Sequence, residues 1–350
     1  MSYVRDDIQR MSGYVPGEQP RDRRYIKLNT NENPYPPSPE VGRALREFDP
    51  ARLRLYPDPV AGGLRAVAGG LFGLSADWVL AGNGSDDLLT IAVRTFVDQG
   101  GRIAFPTPTY SLYESLAEIQ GAACLQIDLD AEFELPPDIA TRAKGASLLF
   151  LARPNAPTGR ATPLERMRQV CRDFPGIVWI DEAYADFATD HCVGFVRDFP
   201  NVVVSRTLSK SYSLAGVRLG LAFARPELIA EMMKVKDSYN VNALTQVAAI
   251  AALKDQAHMQ ATAARIRATR EQVTAALRDL GCKVLPSEAN FLLVRTPQPA
   301  KAVMQQLREH GILVRYFARD RIDDSVRVTI GSEEEMAAFL AAMSEILGGA

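Results

Sequence analysis

The sequence predicts an α/β protein: a large part built on a mostly parallel seven-stranded sheet, then a smaller α+β C-terminal part. Three observations predict this. From about Val41 to Ala224, short apolar strand-like runs alternate with helical patterns. From Leu244 to about Leu280 the pattern becomes one long Ala- and Arg-rich helical run. Beyond Gly281 strand and helix patterns alternate again. At roughly 100–200 residues per domain, a chain of 350 residues suits this division.

Residues 1–40 are rich in Pro, Asn and charge and read as an extended arm with a short helix at its start. The large domain is expected over 41–243. Its strand candidates are Trp78–Leu80, Arg102–Phe105, Ala123–Ile127, Ser147–Leu151, Ile177–Ile180, Val202–Ser205 and Gly220–Ala224. Several are continuously apolar, as strands buried on both faces must be. Helices are expected at Asp86–Val97, Tyr110–Ile119 and Pro163–Asp173. The linking helix and small domain fill 244–350, with strands at Lys283–Leu285, Phe291–Val294, Ile312–Arg315 and Ser325–Ile330, and helices at Ala300–His310 and Glu333–Leu347.

Composition excludes several classes. With 47% hydrophobic residues the chain can fill an ordinary core, which sets aside disordered, collagen-like and coiled-coil proteins. The 40 basic residues nearly match 42 acidic ones, so no basic excess marks a nucleic-acid binder. The cysteines Cys124, Cys171, Cys192 and Cys282 are far apart and the histidines number three, so no metal cluster is expected. No apolar stretch of signal-peptide or membrane-span type is present, and a cytoplasmic protein with reduced thiols is expected.

In open α/β sheets ligands sit beyond the C-terminal ends of the strands. Five of these ends carry unusual chemistry. Gly82-Asn83-Gly84-Ser85-Asp86 precedes a helix, and reads either as a phosphate cradle or as a capped glycine turn. Pro106-Thr107-Pro108-Thr109-Tyr110 places an aromatic at a helix start, either to stack on a flat ring or to pack in the core. Arg153-Pro154-Asn155-Ala156-Pro157-Thr158-Gly159 imposes a specific loop, of a kind that can hold a cis proline. Asp181-Glu182-Ala183-Tyr184 sets an acid directly after an apolar strand, where it is either a helix cap or the partner of a cation. Last, Arg206-Thr207-Leu208-Ser209-Lys210 puts a lysine among hydroxyls, with Arg218 following, either as solvated loop charge or as an imine-forming amine near an anion site. Together the set matches what a pyridine aldehyde phosphate requires: an imine-forming lysine, an acid for the ring nitrogen, a donor for the phenolic oxygen, a stacking face and phosphate donors.

The sequence resembles the fold-type I pyridoxal-phosphate aminotransferases, and within them the histidinol-phosphate aminotransferase family. The resemblance runs from Tyr14 to about Gly331. It rests most specifically on Leu28-Asn29-Thr30-Asn31-Glu32-Asn33-Pro34, Tyr56-Pro57-Asp58-Pro59, Pro154–Gly159, Asp181–Tyr184, and Ser209-Lys210 with Arg218.

The resemblance implies that Lys210 carries pyridoxal 5′-phosphate and shuttles protons, that Asp181 pairs with the ring nitrogen, and that Tyr184 bonds the phenolic oxygen. Tyr110 would cover a ring face. Ser85, Asp86, Ser209 and Arg218 would hold the phosphate, with Gly84 and Thr207 also among the cofactor-binding residues. Tyr56 would reach the phosphate of a neighbouring subunit, implying a homodimer with shared sites, and the arm would pack on the small domain and the partner. One departure concerns the phenolic oxygen. The family commonly has asparagine just before the Pro-Thr-Gly, where this chain has Ala156, so either Asn155 reaches the oxygen by another path or Tyr184 acts alone. Arg327 resembles the substrate-anchoring arginine. Arg315 reads as a second anion contact or as a solvated strand end. Tyr14 and Asn31 would close over an imidazole. The implied reaction exchanges an amino group between L-histidinol phosphate and 2-oxoglutarate. Aromatic amino-acid transamination and threonine-phosphate decarboxylation remain alternatives, since the cofactor motifs are shared. A non-enzymatic cofactor sensor fused to a DNA-binding module is disfavoured by the short arm and the lack of basic charge.

Overall fold

The computed structural model describes residues 3–13, 17–20 and 22–348. The arm contributes a short strand, β1 (Ile26–Lys27). The central sheet holds β2 (Val79–Gly82), β3 (Arg102–Thr107), β4 (Ala123–Asp128), β5 (Leu148–Ala152), β6 (Ile177–Asp181), β7 (Val202–Thr207) and β8 (Gly220–Phe223). The C-terminal part holds β9 (Lys283–Val284), β10 (Phe291–Arg295), β11 (Ile312–Leu313), β12 (Arg315–Tyr316) and β13 (Ser325–Thr329).

The seven-stranded sheet has the order β2-β8-β7-β6-β5-β3-β4. Only β8 runs against its neighbours, pairing antiparallel with both β2 and β7. The predicted mostly parallel seven-stranded sheet is therefore present. Its inner strands are sandwiched between layers. Leu149, Leu151, Val178, Ile180, Val202 and Val204 face one core. Leu148, Phe150, Trp179 and Val203 face another on the opposite side. A strand buried on both faces must be apolar at every position, which is why period-2 alternation is missing from these runs.

A separate core fills the C-terminal part, built from Leu292, Val294, Val326 and Val328 of the four-stranded sheet β12-β13-β10-β9 with helices packed on it. Leu28 of the arm is buried in this core. The arm is tied there by the parallel pairing of β1 with β11, and Thr329 N–H donates to the Leu28 carbonyl at 2.9 Å.

Three expectations are corrected. The expected single helical run Leu244–Leu280 is two helices, Ala243–Lys254 and Gln256–Asp279. Asp255 separates them, because its carboxylate accepts from the His258 N–H and caps the second helix, and Ser38 Oγ donates to it at 2.5 Å. The first helix buries Ala248, Ala249, Ala252 and Leu253 in the large core, whereas the second buries Met259, Ala263, Ile266, Val273 and Leu277 in the small one. The expected strand Ile312–Arg315 divides between two sheets: its first half pairs with the arm strand, its second half with β13. Trp78 lies in a short 3-10 turn ahead of β2, which extends instead to Gly82.

Candidate active site

The C-terminal ends of β3, β5, β6 and β7 open into one cavity of about 930 Å3. Ser85, Asp86, Tyr110, Asp181, Tyr184, Thr207, Ser209, Lys210 and Arg218 line it from the large sheet. Asn31, Arg315 and Arg327 line it from the arm and the small sheet. Three of the named residues stand elsewhere, and a fourth, Tyr14, lies outside the described residues. Tyr56 lies on the outer surface, 81% exposed and stacked on Tyr239 with centroids 4.5 Å apart. Gly84 supports Arg218 from beneath: its φ is +89°, and a Cβ there would lie 2.6 Å from the guanidinium. Asn155 is buried behind the cavity wall, and its amide is committed to the loops. Asn155 Nδ2 donates to the Pro108 carbonyl and to Thr158 Oγ1, both at 3.0 Å, and Oδ1 accepts from Thr109 Oγ1 at 2.7 Å. That leaves Ala156, not Asn155, at the cavity. The peptide bonds before Pro154 and Pro157 are both cis.

One end of the cavity is an anion cradle. The helix Ser85–Phe96 begins there with no side-chain cap, so its first N–H groups and its positive dipole end are available. Gly220 brings β8 so close that a Cβ would lie 2.6 Å from the Gly84 carbonyl carbon. Arg218 leans over the helix start in a left-handed backbone conformation, φ 57°. Its Nη1 donates to Ser209 Oγ at 3.2 Å, and its Nη2 lies 3.5 Å from Asp86 Oδ2. Tyr110 OH donates to Asp86 Oδ1 at 3.1 Å, which sets the ring beside the cradle.

At the centre sits Asp181, at the last position of β6. It accepts from Tyr113 OH at 2.9 Å and Ser205 Oγ at 3.4 Å, both neutral donors. Burial pushes its carboxyl up to about 6, against the lowering pull of the Tyr113 bond. Across the cavity, Lys210 Nζ donates to the Thr30 carbonyl at 3.1 Å. Burial, and then Arg327, pull this amine down to about 8. Tyr184 accepts a hydrogen bond from Asn31 Nδ2 at 2.9 Å. Asn31 is itself pinned by Thr329, whose Oγ1 accepts from the Asn31 N–H at 2.9 Å and donates to Oδ1 at 3.1 Å.

The other end is cationic. Arg315 and Arg327 are cross-strand partners on β12 and β13, and both lie over the Phe317 ring, at 5.6 Å and 5.4 Å. Arg327 Nη2 donates to the Asn29 carbonyl at 2.9 Å. At the same wall Asn29 Oδ1 and Thr30 Oγ1 are buried without a hydrogen-bond partner.

These residues fit a pyridine aldehyde phosphate. An uncapped helix start, Arg218 and two hydroxyls suit a phosphate. A buried carboxylate with only neutral donors suits a protonated ring nitrogen. A partly buried amine of lowered basicity suits imine formation. No group of three or more metal-binding side chains occurs among the described residues.

Sequence reasoning missed three features. Tyr113, the donor to Asp181, is fully buried; its spacing of three residues from Tyr110 within the expected helix Tyr110–Ile119 was the available signal, although the helix itself begins only at Leu112. Glu182 is 1% exposed and accepts from Arg206 Nη1 at 3.0 Å and the Cys192 N–H at 2.5 Å. Arg206 also pairs with Asp186, which accepts from Ser211 Oγ and so braces the loop that carries Lys210. At the cavity mouth Arg319 Nη2 pairs with Glu114 at 3.1 Å.

Residues 23–343 match the model of the aminotransferase class I and II family. The histidinol-phosphate aminotransferase of Synechocystis sp. is 47% identical over 350 residues, 99% of each chain. That of Syntrophotalea carbinolica is 46% identical, over 99% of this chain and 100% of that one. The crystal structure of histidinol-phosphate aminotransferase from Sinorhizobium meliloti in complex with pyridoxal-5'-phosphate matches with a TM-score of 0.91 at 25% identity, over 100% of this chain and 98% of that one. With the cradle, the buried acid and the lysine arranged in one cavity, these likenesses lead to one conclusion: the chain belongs to the class I and II aminotransferases and, among them, to the histidinol-phosphate aminotransferase family.

Proposed function

We propose that this protein exchanges an amino group between L-histidinol phosphate and 2-oxoglutarate, yielding imidazole acetol phosphate and L-glutamate, in histidine biosynthesis, with pyridoxal 5′-phosphate as cofactor. The observation that carries this reading is the Arg315–Arg327 pair facing the same cavity as Lys210 and the anion cradle. One cradle serves the cofactor phosphate. A second, separate cationic end then serves an anionic substrate, and both proposed substrates are anions.

When bound, the cofactor supplies an electron sink conjugated to the carbon that bears the substrate amine. Asp181 holds the proton at the ring nitrogen, since a carboxylate without a cationic partner is costly at that depth. Lys210, with its basicity lowered, takes the proton from the amine-bearing carbon and returns it to the neighbouring position. Because Asn31 donates to the Tyr184 oxygen, the Tyr184 proton is left to donate to the phenolic oxygen. Arg218, Ser209 and the helix start at Ser85 hold the phosphate, with Gly84 giving Arg218 its room. Tyr110 covers a ring face. Arg327 and Arg315 bind the carboxylate of glutamate in one half-reaction and the phosphate of the amino alcohol in the other. Asn29 Oδ1 and Thr30 Oγ1 offer hydrogen bonds to the imidazole.

The same reading includes a homodimer in which Tyr56 reaches the neighbouring subunit's cofactor phosphate. Exposed Leu53, Leu55, Tyr56, Val60 and Leu244 supply an apolar surface for that contact. It also places the enzyme in the cytoplasm, where its four free cysteines stay reduced. No helix among the described residues is long and apolar enough to cross a membrane.

Mixing the cofactor-loaded protein with L-histidinol phosphate and 2-oxoglutarate tests the reaction. Glutamate should form, with parallel double-reciprocal lines. Carbon dioxide released from phosphothreonine, with no glutamate from histidinol phosphate, would overturn it.

A further inference from the structure

Tyr113 stands just outside the cavity yet touches its most important acid. Its ring is fully buried, stacked on Phe150 with centroids 4.6 Å apart and planes 8° from parallel. The hydroxyl donates to Asp181 Oδ2 at 2.9 Å. The other carboxylate oxygen is held from the far side. Trp179 Nε1 donates to Ser205 Oγ at 2.9 Å, and Ser205 Oγ donates to Asp181 Oδ1 at 3.4 Å. The carboxylate is thus gripped by two neutral side-chain donors, of which the tyrosine is much the closer, together with the Ala183 backbone N–H. Burial, and then the charge of Asp181, push the Tyr113 phenol well above its ordinary value, so it keeps its proton and remains a donor.

We propose that Tyr113 is a positioning residue that acts through Asp181: its hydroxyl orients the carboxylate and lowers that carboxylate's proton affinity, so the proton shared with the cofactor's ring nitrogen stays on the nitrogen. This rests on the cofactor reading given above. Without the Tyr113 donor, Asp181 draws the shared proton toward itself. The bound cofactor would then be a weaker electron sink, the Lys210 nitrogen would keep its proton to higher pH, and Lys210 would remove the substrate proton more slowly. Ser205, at 3.4 Å, makes a weaker contribution of the same sign.

The decisive variant is Tyr113→Phe in the holoenzyme, because it keeps the ring and its stacking on Phe150. The pH midpoint of the cofactor's visible absorbance should move up by about half a unit or more. The turnover number should fall about tenfold while KM for both substrates stays within about twofold. Cofactor affinity should drop, with a steeper loss toward low pH. Ser205→Ala should shift the midpoint in the same direction by less. If Tyr113→Phe proves unstable, site-specific replacement of Tyr113 by difluorotyrosine keeps the shape and strengthens the donor, and the midpoint should then move down. An absorbance midpoint and a turnover number both unchanged in folded Tyr113→Phe would overturn the proposal and leave Tyr113 a packing residue. Failure of the cofactor reading itself would look different, since wild-type protein would then show no such absorbance.

Discussion

Arg315 and Arg327 are direct cross-strand partners, set side by side on β12 and β13 with both charges facing the cavity. Like charges directly opposite each other weaken a sheet by about 0.2–1 kcal/mol. The arrangement makes sense as a site for an anion that joins them. Arg327→Gln should cut kcat/KM for 2-oxoglutarate roughly tenfold to 150-fold, the loss of a charge-assisted bond worth about 1.5–3 kcal/mol. Arg315→Gln should weaken histidinol phosphate binding while leaving Tm unchanged or raised. Steady-state kinetics with each substrate varied, beside a thermal melt, check both. A lowered Tm in Arg315→Gln with normal KM values would assign this residue to the scaffold.

Lys210 is held against its own stability. Its amine titrates at about 8 in the folded chain against an ordinary 10.5, chiefly through burial. Below about pH 8 the folded state carries a partly buried ammonium, at a cost of up to about 3 kcal/mol; that cost disappears as pH rises from about 8 to 10.5. Lys210→Met should therefore abolish turnover, by about 10³-fold or more. It should also stabilise the cofactor-stripped protein at pH 7, by up to about 3 kcal/mol, with no gain left above about pH 10.5. Denaturant titrations at a series of pH values read this out, and a variant less stable than wild type at pH 7 would contradict it.

Asp181 shows the same conflict with the opposite window. Its carboxyl titrates at about 6, raised from 3.8 mainly by burial. A raised folded value means that the stability it lends is present below about pH 4 and lost as pH climbs through about 6. Asp181→Asn should flatten the fall in cofactor-stripped stability between about pH 4 and 6, and should sharply weaken cofactor binding. An unaltered pH profile in this variant would show that another group titrates there.

Glu182 anchors the ion network under the Lys210 loop, accepting from Arg206 and from the Cys192 N–H. Removing one partner of a buried pair leaves the other charge unpaired and costs about 3–5 kcal/mol. Glu182→Ala should lower stability by that amount, measured by urea unfolding, through an uncompensated Arg206. Mild destabilisation, under about 1 kcal/mol, would mean that Asp186 alone satisfies Arg206.

Asn155 divides two roles that sequence alone left open. With its amide bonded to Pro108, Thr158 and Thr109, it latches one loop to another. Asn155→Ala should cost about 1–3 kcal/mol in stability and leave the wavelength of the bound cofactor's absorbance in place. A shifted absorbance with unchanged stability would instead put Asn155 on the cofactor's phenolic oxygen.

Local pattern determined a good deal by itself. The apolar runs at 148–151 and 202–204 demanded strands buried on both faces, and so a layered parallel sheet. The residue types at the strand ends, with Asp181 after one strand and Lys210 after the next, named the chemistry. Tertiary structure alone decided which side chains meet. Asn31 reaches Tyr184 across 153 positions of chain, and Tyr113 reaches Asp181 across 68. The Arg315–Arg327 register, the break at Asp255 and the burial of Asn155 belong to the same group. The reason is physical. Periodicity along the chain records which face of an element is buried. Partners in a register or a hydrogen bond are chosen when distant elements pack, so no neighbouring residue carries that information.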